Sequence, residues 1–448
     1  MPKINNYKFE FRNSMLWNSI DSVLAQAFIT IHHILLQTFA GAEFHGIFAS
    51  AISIIYTFIP IFNLGFDYSL SIYLKKFTQT KKNFISILTI QFLPQLFLIC
   101  LIAHLLSHYF PNSQISPEAI SWLKYIFIIE YIRKSSRSFL QLMLDSKITA
   151  SVEILGTLFY MFLFWLLVLL FQVKLTIILG LKLLALSVIL QAFILLIRIF
   201  HIFSKLDSKI DDTNTHLITM HQDIAKTRIG IWLNHIASQV NYSNFVIPFS
   251  NACFGSAQAS LLSVLMNSAR CVTLFFQKGL GISSLALLSQ ANNNQNTSKN
   301  SKHSDPIYYL YNLSAPLIIF FLLNASKLSY LFSNNTIVWH LASLACFLSI
   351  IEGALSVYEK FYITEKKIYL FSITNSLGSI ILFGLTYKFL IFNSLIQFFL
   401  CFFLVRVTSL LAIILTSHHL LKIPSIPYLN SYMLATATFF SILFYLLF

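Results

Sequence analysis

Residues 176–197 read TIILGLKLLALSVILQAFILLI, and this stretch decides what kind of protein the chain is. Its 22 residues include one charged side chain, Lys182. A helix rises about 1.5 Å per residue, so this length spans about 33 Å, close to the roughly 30 Å hydrocarbon core of a bilayer. The stretch is therefore predicted to be a transmembrane helix.

Similar stretches recur along the whole chain of 448 residues, of which 57% are hydrophobic and 10% are charged, with a mean hydropathy of +0.73. We predict an all-α, polytopic membrane protein with about twelve or thirteen spans. This class restricts the function to transport, a channel or chemistry on lipid substrates. The candidate spans are 14–39, 47–73, 84–106, 118–143, 149–170, 176–197, 229–249, 258–289, 307–324, 336–359, 368–386, 391–415 and 426–448.

The basic residues predict the orientation. The N-terminus has no cleavage site of the signal-peptide type and is interpreted as a cytoplasmic lead-in to the first span. With that end in the cytoplasm, 19 Lys and Arg residues fall in cytoplasmic segments, 3 fall outside and 8 lie within spans. This bias follows the positive-inside rule. It accounts for most of the net charge of +14, so no nucleic-acid partner is expected.

The loops divide the chain into two halves of six spans. Residues 198–228 form a long charged loop that could contain a surface helix, and residues 290–306 are typical of a flexible linker. We predict an N-terminal lobe at 1–205, a C-terminal lobe at 206–422 and an extra span at 423–448. Three pairs at offsets of 214 or 215 suggest that the lobes are repeats related by an axis along the membrane normal: Trp17 and Trp232, Gly41 and Gly255, Gly65 and Gly279.

The fourth span contains charges that are costly in lipid. Glu130, Arg133, Lys134 and Arg137 share one face of a helix. One interpretation ends the span near Ile132 and leaves these residues at the cytoplasmic rim. The other continues the helix and directs three cations into a water-filled interior, and we favour it because the segment before Ile132 is short for a crossing.

The second half also has polar residues that share one face of a predicted span. Asn267, Arg270 and Gln277 are predicted to share a face of the eighth span, with Lys278 beside them. The seventh span carries three further polar residues at helical spacing, which either contribute to a site or only join helices by hydrogen bonds. They are Asn234, Ser238 and Asn241.

Five carboxylates also lie within spans, either as counter-ions for the cations or as sites that couple ion movement to transport. They are Asp21, Asp67, Glu130, Glu153 and Glu352. Asp21 is the best coupling candidate, because it lies about 10 Å into the first span if helical and no basic residue of that span is within one turn. If it is buried and unpaired it can carry a proton, and otherwise it is a counter-ion for a cation on a neighbouring helix.

No motif indicates an enzyme, a cofactor or a metal. The sequence lacks GxxxxGK[ST], GxSxG and HExxH, and its five cysteines form no CxxC. The pairs His32–His33 and His418–His419 lack metal-ligand spacing and are predicted to lie at the membrane interface.

The N-terminal stretch resembles bacterial polysaccharide flippases of the O-antigen type, members of the multidrug/oligosaccharidyl-lipid/polysaccharide exporter superfamily. The resemblance is carried over about residues 14–76 by Gly41-Ala-Glu-Phe44-His-Gly46, by Asn63-Leu-Gly-Phe-Asp67 and by the basic loop at 75–82. It implies two six-helix lobes around a central cavity lined by cations. It also implies an undecaprenyl-diphosphate-linked sugar substrate, moved across the bacterial inner membrane. The thirteenth span departs from the even counts usual in the family.

A diphosphate needs cations in a low-dielectric cavity, which Arg133, Lys134, Arg137 and Arg270 can supply, with Asn267 beside them. Partners are expected to be the lipid-linked substrate, membrane lipid and other polysaccharide-assembly proteins. A cation-coupled multidrug exporter of the same superfamily is the first alternative. A membrane-embedded glycosyltransferase or polymerase is the second, although the predicted external loops are short for it.

Overall fold

The computed structural model describes residues 4–69, 81–109, 116–206, 214–239, 243–285, 336–389 and 395–421, together with Leu310, Asn312 and Ser314. The predicted linker at 290–306, most of the ninth span at 307–324 and the thirteenth span at 426–448 lie outside these residues. The division into lobes at 205 and 422 stays a prediction.

The described residues of the first half form long helices joined by short turns. Their bounds are α1 Ile4–Ala40, α2 Ala42–Phe62, a short α3 Phe66–Ser69, α4 Lys81–Ile87, a π-helical segment Leu88–Phe92 that continues into α5 Leu93–Tyr109, α6 Pro117–Leu142, α7 Ser146–Leu169 and α8 Ile177–Ser204.

The second half has the same character. Its helices are α9 Asn214–Gln239, α10 Ser243–Phe254, α11 Ser256–Leu274 with a π-helical continuation Phe275–Ile282, α12 Thr336–Thr364, α13 Ile368–Phe389 and α14 Leu395–Leu421.

The outer surface is apolar. Within the described residues, six helices are long and apolar enough to cross a membrane: Arg12–Ala40, Ala42–Phe62, Lys81–Leu105, Ser146–Leu169, Ile177–Ser204 and Ser256–Leu285. Large side chains such as Phe97, Phe162 and Phe200 are exposed on the outside of the bundle. Helices satisfy their own backbone hydrogen bonds, so a surface of this kind suits a hydrocarbon solvent. The chain is a polytopic all-α membrane protein.

The fourth span is one continuous helix. Ser116 caps α6, because its side-chain oxygen accepts a hydrogen bond from the Ala119 amide at 3.3 Å, and Pro117 occupies the first helical position. The helix ends only at Leu142, where Leu144 takes a positive φ of 61°. The interpretation that this span ends near Ile132 is therefore wrong, and the cations of α6 lie inside the bundle.

The seventh span differs from its predicted bounds. The helix expected at 229–249 begins instead at Asn214 and includes the second part of the predicted surface loop. A separate helix, α10, begins at Ser243 and contains Pro248. Of the three polar residues predicted here, Asn241 and the side chain of Ser238 lie outside the described part of the chain.

The glycine pairs behave differently from one another. Gly41 and Gly255 have φ of 86° and 90°, and each immediately precedes the second helix of a tight pair, α2 or α11. Gly65 also has a positive φ, 70°, at the end of α2, whereas its proposed counterpart Gly279 lies within the π-helical continuation of α11. Gly41 and Gly255 therefore have matching local structure, whereas Gly65 and Gly279 do not.

Candidate functional site

A cavity of about 220 Å³ lies between the two halves of the chain. Its walls come from α1, α2, α6, α7 and α8 on one side and from α10, α11 and the π-helical continuation of α11 on the other. The polar and charged residues that line it are Gln26, His32, His33, Ser53, Tyr56, Arg133, Lys134, Arg137, Glu153, Thr157, Tyr160, Ser187, Gln191, Ser263, Asn267, Arg270 and Lys278.

The five residues predicted to bind substrate all reach this cavity. Arg133, Lys134 and Arg137 lie on its wall from α6, and Asn267 and Arg270 lie there from α11. Spacings of three and four residues place side chains on one helix face, which is why the sequence pattern anticipated their convergence. Their role as substrate ligands stays a prediction.

Arg133 is held by two carboxylates and an amide. Its Nε donates to Glu130 Oε2 at 2.7 Å, and its Nη1 donates to Gln191 Oε1 at 3.0 Å and to Glu153 Oε2 at 3.3 Å. Glu130 has no exposed side-chain surface, whereas Glu153 is 15% exposed. Glu130 accepts hydrogen bonds from both Nε and Nη2 of Arg133, and this bidentate pair fixes the guanidinium plane. The Nη1 group is on the side of Glu153 and Gln191, which line the cavity.

Asp21 is a counter-ion in this structure. It is fully buried, and its Oδ2 accepts hydrogen bonds from Arg137 of α6 and from Lys278 Nζ, the latter at 3.2 Å. Asp21 is thus buried and paired, which is the counter-ion alternative. Its cations come from other helices, which spacing along α1 does not reveal. Its ion-coupling role stays a prediction.

Glu153 joins three cations at once. Its carboxylate pairs with Arg133, with Arg137 and with Lys278, whose Nζ lies 3.2 Å from Oε1. We call Asp21, Glu130, Arg133, Arg137, Glu153 and Lys278 the cavity network.

Lys278, rather than Gln277, shares the cavity face with Asn267 and Arg270. The prediction that Gln277 lies on that face is wrong. The reason is the π-helical segment Phe275–Ile282, whose wider turn shifts the following residues around the helix axis. Such segments occur often at functional sites.

Lys134 and Asn267 make further contacts on the cavity wall. Lys134 Nζ lies 4.6 Å from the ring centroid of Tyr56, which is a cation–π geometry. The backbone carbonyl of Asn267 accepts a hydrogen bond from Gln26 Nε2 at 3.0 Å, and its side-chain amide donates to Ser263 at 3.2 Å. The Gln26 bond holds α1 against α11 beside the cavity.

The cavity has an excess of positive charge. Five cations line it: Arg133, Lys134, Arg137, Arg270 and Lys278. Three carboxylates belong to its network, Asp21, Glu130 and Glu153, so the described side chains include two more cations than carboxylates. In a low-dielectric site such an excess favours an anionic ligand.

Sequence reasoning misplaced the histidines near one end of the cavity. His33 Nδ1 and His45 Nε2 are 2.7 Å apart, and His45 Nδ1 lies 2.8 Å from Ser260 Oγ. The contact joins α1, α2 and α11. His32 bonds to Tyr160 at 3.0 Å. The prediction that His32 and His33 lie at the membrane interface is wrong, because both are buried among aromatic rings.

A second polar cluster joins the halves nearer the start of α1. Ser14 of α1 bonds to Ser146 of α7 at 2.6 Å, and Asn18 Nδ2 donates to Ser283, after the π-helical segment, at 3.1 Å. Ser14 and His33 are 19 positions apart on α1, about 28 Å along its axis. The cavity network lies between these two clusters.

Another buried network lies away from the cavity, in the second half. Arg406 Nη2 donates to Glu352 Oε2 and its Nη1 to Asn375 Oδ1, both at 2.8 Å. Asn375 donates to Asn234, and Asn234 donates to Glu359 at 2.6 Å. For Asn234 the interpretation as a hydrogen bond between helices is the right one. We call Asn234, Glu352, Glu359, Lys360, Asn375 and Arg406 the enclosed network.

Four of the five carboxylates predicted within spans, Asp21, Glu130, Glu153 and Glu352, are thus paired with cations, and the side chain of Asp67 lies outside the described residues. Within the described residues, no group of three His, Cys, Asp or Glu side chains is arranged to hold a metal ion.

The fold is that of the MATE transporters. The eukaryotic MATE transporter AtDTX14 is 14% identical, with 98% of this chain and 99% of that chain covered and a TM-score of 0.63. An outward-facing multidrug resistance MATE family transporter of the MOP superfamily is 12% identical, with 93% and 96% covered and a TM-score of 0.67. A variant of the Vibrio cholerae MATE transporter VcmN is 12% identical, with 93% and 98% covered and a TM-score of 0.63.

No protein-family model matches the sequence, and no curated protein is significantly similar to it. Identities this low establish a common architecture and leave the substrate open.

Proposed function

We propose that the protein is a flippase that moves undecaprenyl-diphosphate-linked oligosaccharide repeat units across the bacterial inner membrane for surface polysaccharide synthesis. The observation that carries this proposal is the positive excess on the cavity wall, contributed by both halves of the chain. The MATE-like fold supports a transport role, because the structures that share it are described as transporters. The distribution of Lys and Arg supports a cytoplasmic N-terminus.

The diphosphate is the part of this substrate that the cavity suits. An arginine guanidinium group can donate two parallel hydrogen bonds to the oxygens of one phosphate, and the ammonium group of Lys278 adds a point charge. The volume of about 220 Å³ is below the roughly 300–1,000 Å³ of most small-molecule sites. Passage of an oligosaccharide therefore requires that the two halves separate further, as in alternating access between repeats.

A cation-coupled multidrug exporter is the second candidate. It is favoured by the neighbour described as a multidrug resistance transporter and by Asp21 on α1. Cationic drugs are attracted by acidic cavities, whereas the described residues of this wall include five cations and one carboxylate, Glu153. The charge balance therefore favours the flippase.

Transport by the purified protein in proteoliposomes separates the two functions. One assay measures translocation of a fluorescent undecaprenyl-diphosphate-linked oligosaccharide, and the other measures extrusion of a cationic dye. We expect translocation of the lipid-linked sugar and no dye extrusion. Dye extrusion that depends on a proton or sodium gradient, without movement of the lipid-linked sugar, would replace the flippase with the multidrug exporter.

A further inference from the structure

The three carboxylates of the cavity network differ in their access to the cavity. The side chains of Asp21 and Glu130 have no exposed surface, and neither lines the cavity. Glu153 is 15% exposed and forms part of the wall. Of these three, Glu153 is therefore the one whose carboxylate can leave its cations without crossing packed side chains.

Glu153 also occupies the position that an anionic ligand would take. Its two oxygens lie among Arg133, Arg137 and Lys278, all three of which line the cavity. When Glu153 leaves, Arg133 keeps its pair with Glu130, and Arg137 and Lys278 keep theirs with Asp21. Each of the three cations thus keeps a carboxylate contact beside a vacated anion site.

We propose that Glu153 is an internal anion that the substrate displaces: its carboxylate fills the diphosphate site in the empty protein, and the diphosphate takes its place. This inference rests on the proposed function. A diphosphate has more charge and more acceptor oxygens than one carboxylate, so it can compete for three cations, whereas a monovalent anion offers no gain over Glu153. The side chain therefore acts as a specificity filter.

Displacement also changes how the halves are held together. Glu153 lies on α7, and Lys278 lies on the π-helical continuation of α11, so their ion pair crosses between the two halves. Loss of this pair removes one of the two carboxylate contacts that the cavity network makes to Lys278. Substrate binding thereby weakens a contact that must break when the halves separate.

The test is the binding of inorganic pyrophosphate to the purified protein, measured by calorimetry. Glu153→Gln keeps the shape of the side chain and removes its charge. We expect it to bind pyrophosphate about tenfold more tightly than the original protein, because no internal anion competes for the cations. We also expect it to bind chloride, which the original protein should not bind.

The matched control is Glu118→Gln. Glu118 pairs with Lys182 on the outer surface and its side chain is 57% exposed, so its removal should leave pyrophosphate affinity unchanged. Glu153→Asp has a shorter side chain that reaches fewer of the three cations. Its affinity should lie between those of the original protein and Glu153→Gln, and it provides the test if the Gln variant does not fold.

The outcomes separate this inference from the function on which it rests. Equal or weaker pyrophosphate binding by the Glu153 variants, with clear binding by the original protein, overturns the displacement and leaves the flippase proposal standing. Absence of pyrophosphate binding in every protein, the original included, overturns both.

Discussion

The cavity network and the enclosed network both consist of buried ion pairs, and they differ in whether they adjoin the cavity. The enclosed network is balanced: Glu352 and Glu359 face Arg406 and Lys360, and all four are buried away from the cavity. The cavity network lies beside further cations, and the wall keeps a positive excess. A balanced buried cluster fixes helices against one another, whereas a cavity wall with more cations than carboxylates favours a ligand of negative charge.

The largest expected effect is on the enclosed network. Arg406→Met leaves Glu352 buried without its cation, and breaking a buried pair in this way costs roughly 3–5 kcal/mol. We expect a strongly lowered unfolding temperature and little protein in the membrane. Arg406→Met combined with Glu352→Gln should recover most of the stability, because no unpaired charge remains. A single variant as stable as the original protein would contradict a structural role.

Replacing an arginine of the cavity wall, Arg270, should affect transport and leave the fold intact. Arg270→Ala is expected to abolish surface polysaccharide at an unchanged protein level, measured by blotting both from the same cells. Arg270→Lys should retain part of the activity, since lysine keeps the charge and loses the paired donors. Lys182→Ala is the control, because Lys182 is 46% exposed on the outer surface. Full activity in Arg270→Ala would remove Arg270 from the site.

Asp21 tests whether a counter-ion of the cavity network also couples transport to protons. Its Oδ2 holds Arg137 and Lys278, while Oδ1 is buried and has no hydrogen-bond partner among the described residues. We expect Asp21→Asn to remove the pH dependence of lipid-linked sugar translocation in proteoliposomes. The control is Glu130→Gln, a second buried carboxylate that pairs with Arg133. Unchanged pH dependence in Asp21→Asn would leave Asp21 as a counter-ion only.

The smallest expected effect is the loss of stability when the corresponding glycines of the two halves, Gly41 and Gly255, are replaced. Gly41 and Gly255 both have a positive φ, with nothing within 4 Å of where a Cβ would stand. Gly41→Ala and Gly255→Ala should therefore each cost about 1–3 kcal/mol from backbone strain alone. The measurement is the shift in unfolding temperature for both variants in the same detergent. A clear loss in one variant and none in the other would weaken the case for a repeat.

Helix spacing predicted more of the site than any motif did. It placed Arg133, Lys134 and Arg137 on one face of α6, and it placed Asn267 and Arg270 on one face of α11. It failed at Gln277 and Lys278, because a single π-helical segment changes the angle per residue. It also failed at His33, whose partner His45 lies on another helix and bonds in turn to Ser260.

By itself the sequence determined the membrane class and the basic character of the interior, because each follows from local composition and from the regular period of a helix. For the fourth span it favoured a continuous helix and left the shorter one open. Only the tertiary structure decided which charges pair. Asp21 meets Arg137 and Lys278 from positions 116 and 257 residues away, and Glu153 meets the same two cations. Ion pairs between helices depend on how the helices pack, and no pattern along one helix contains that information.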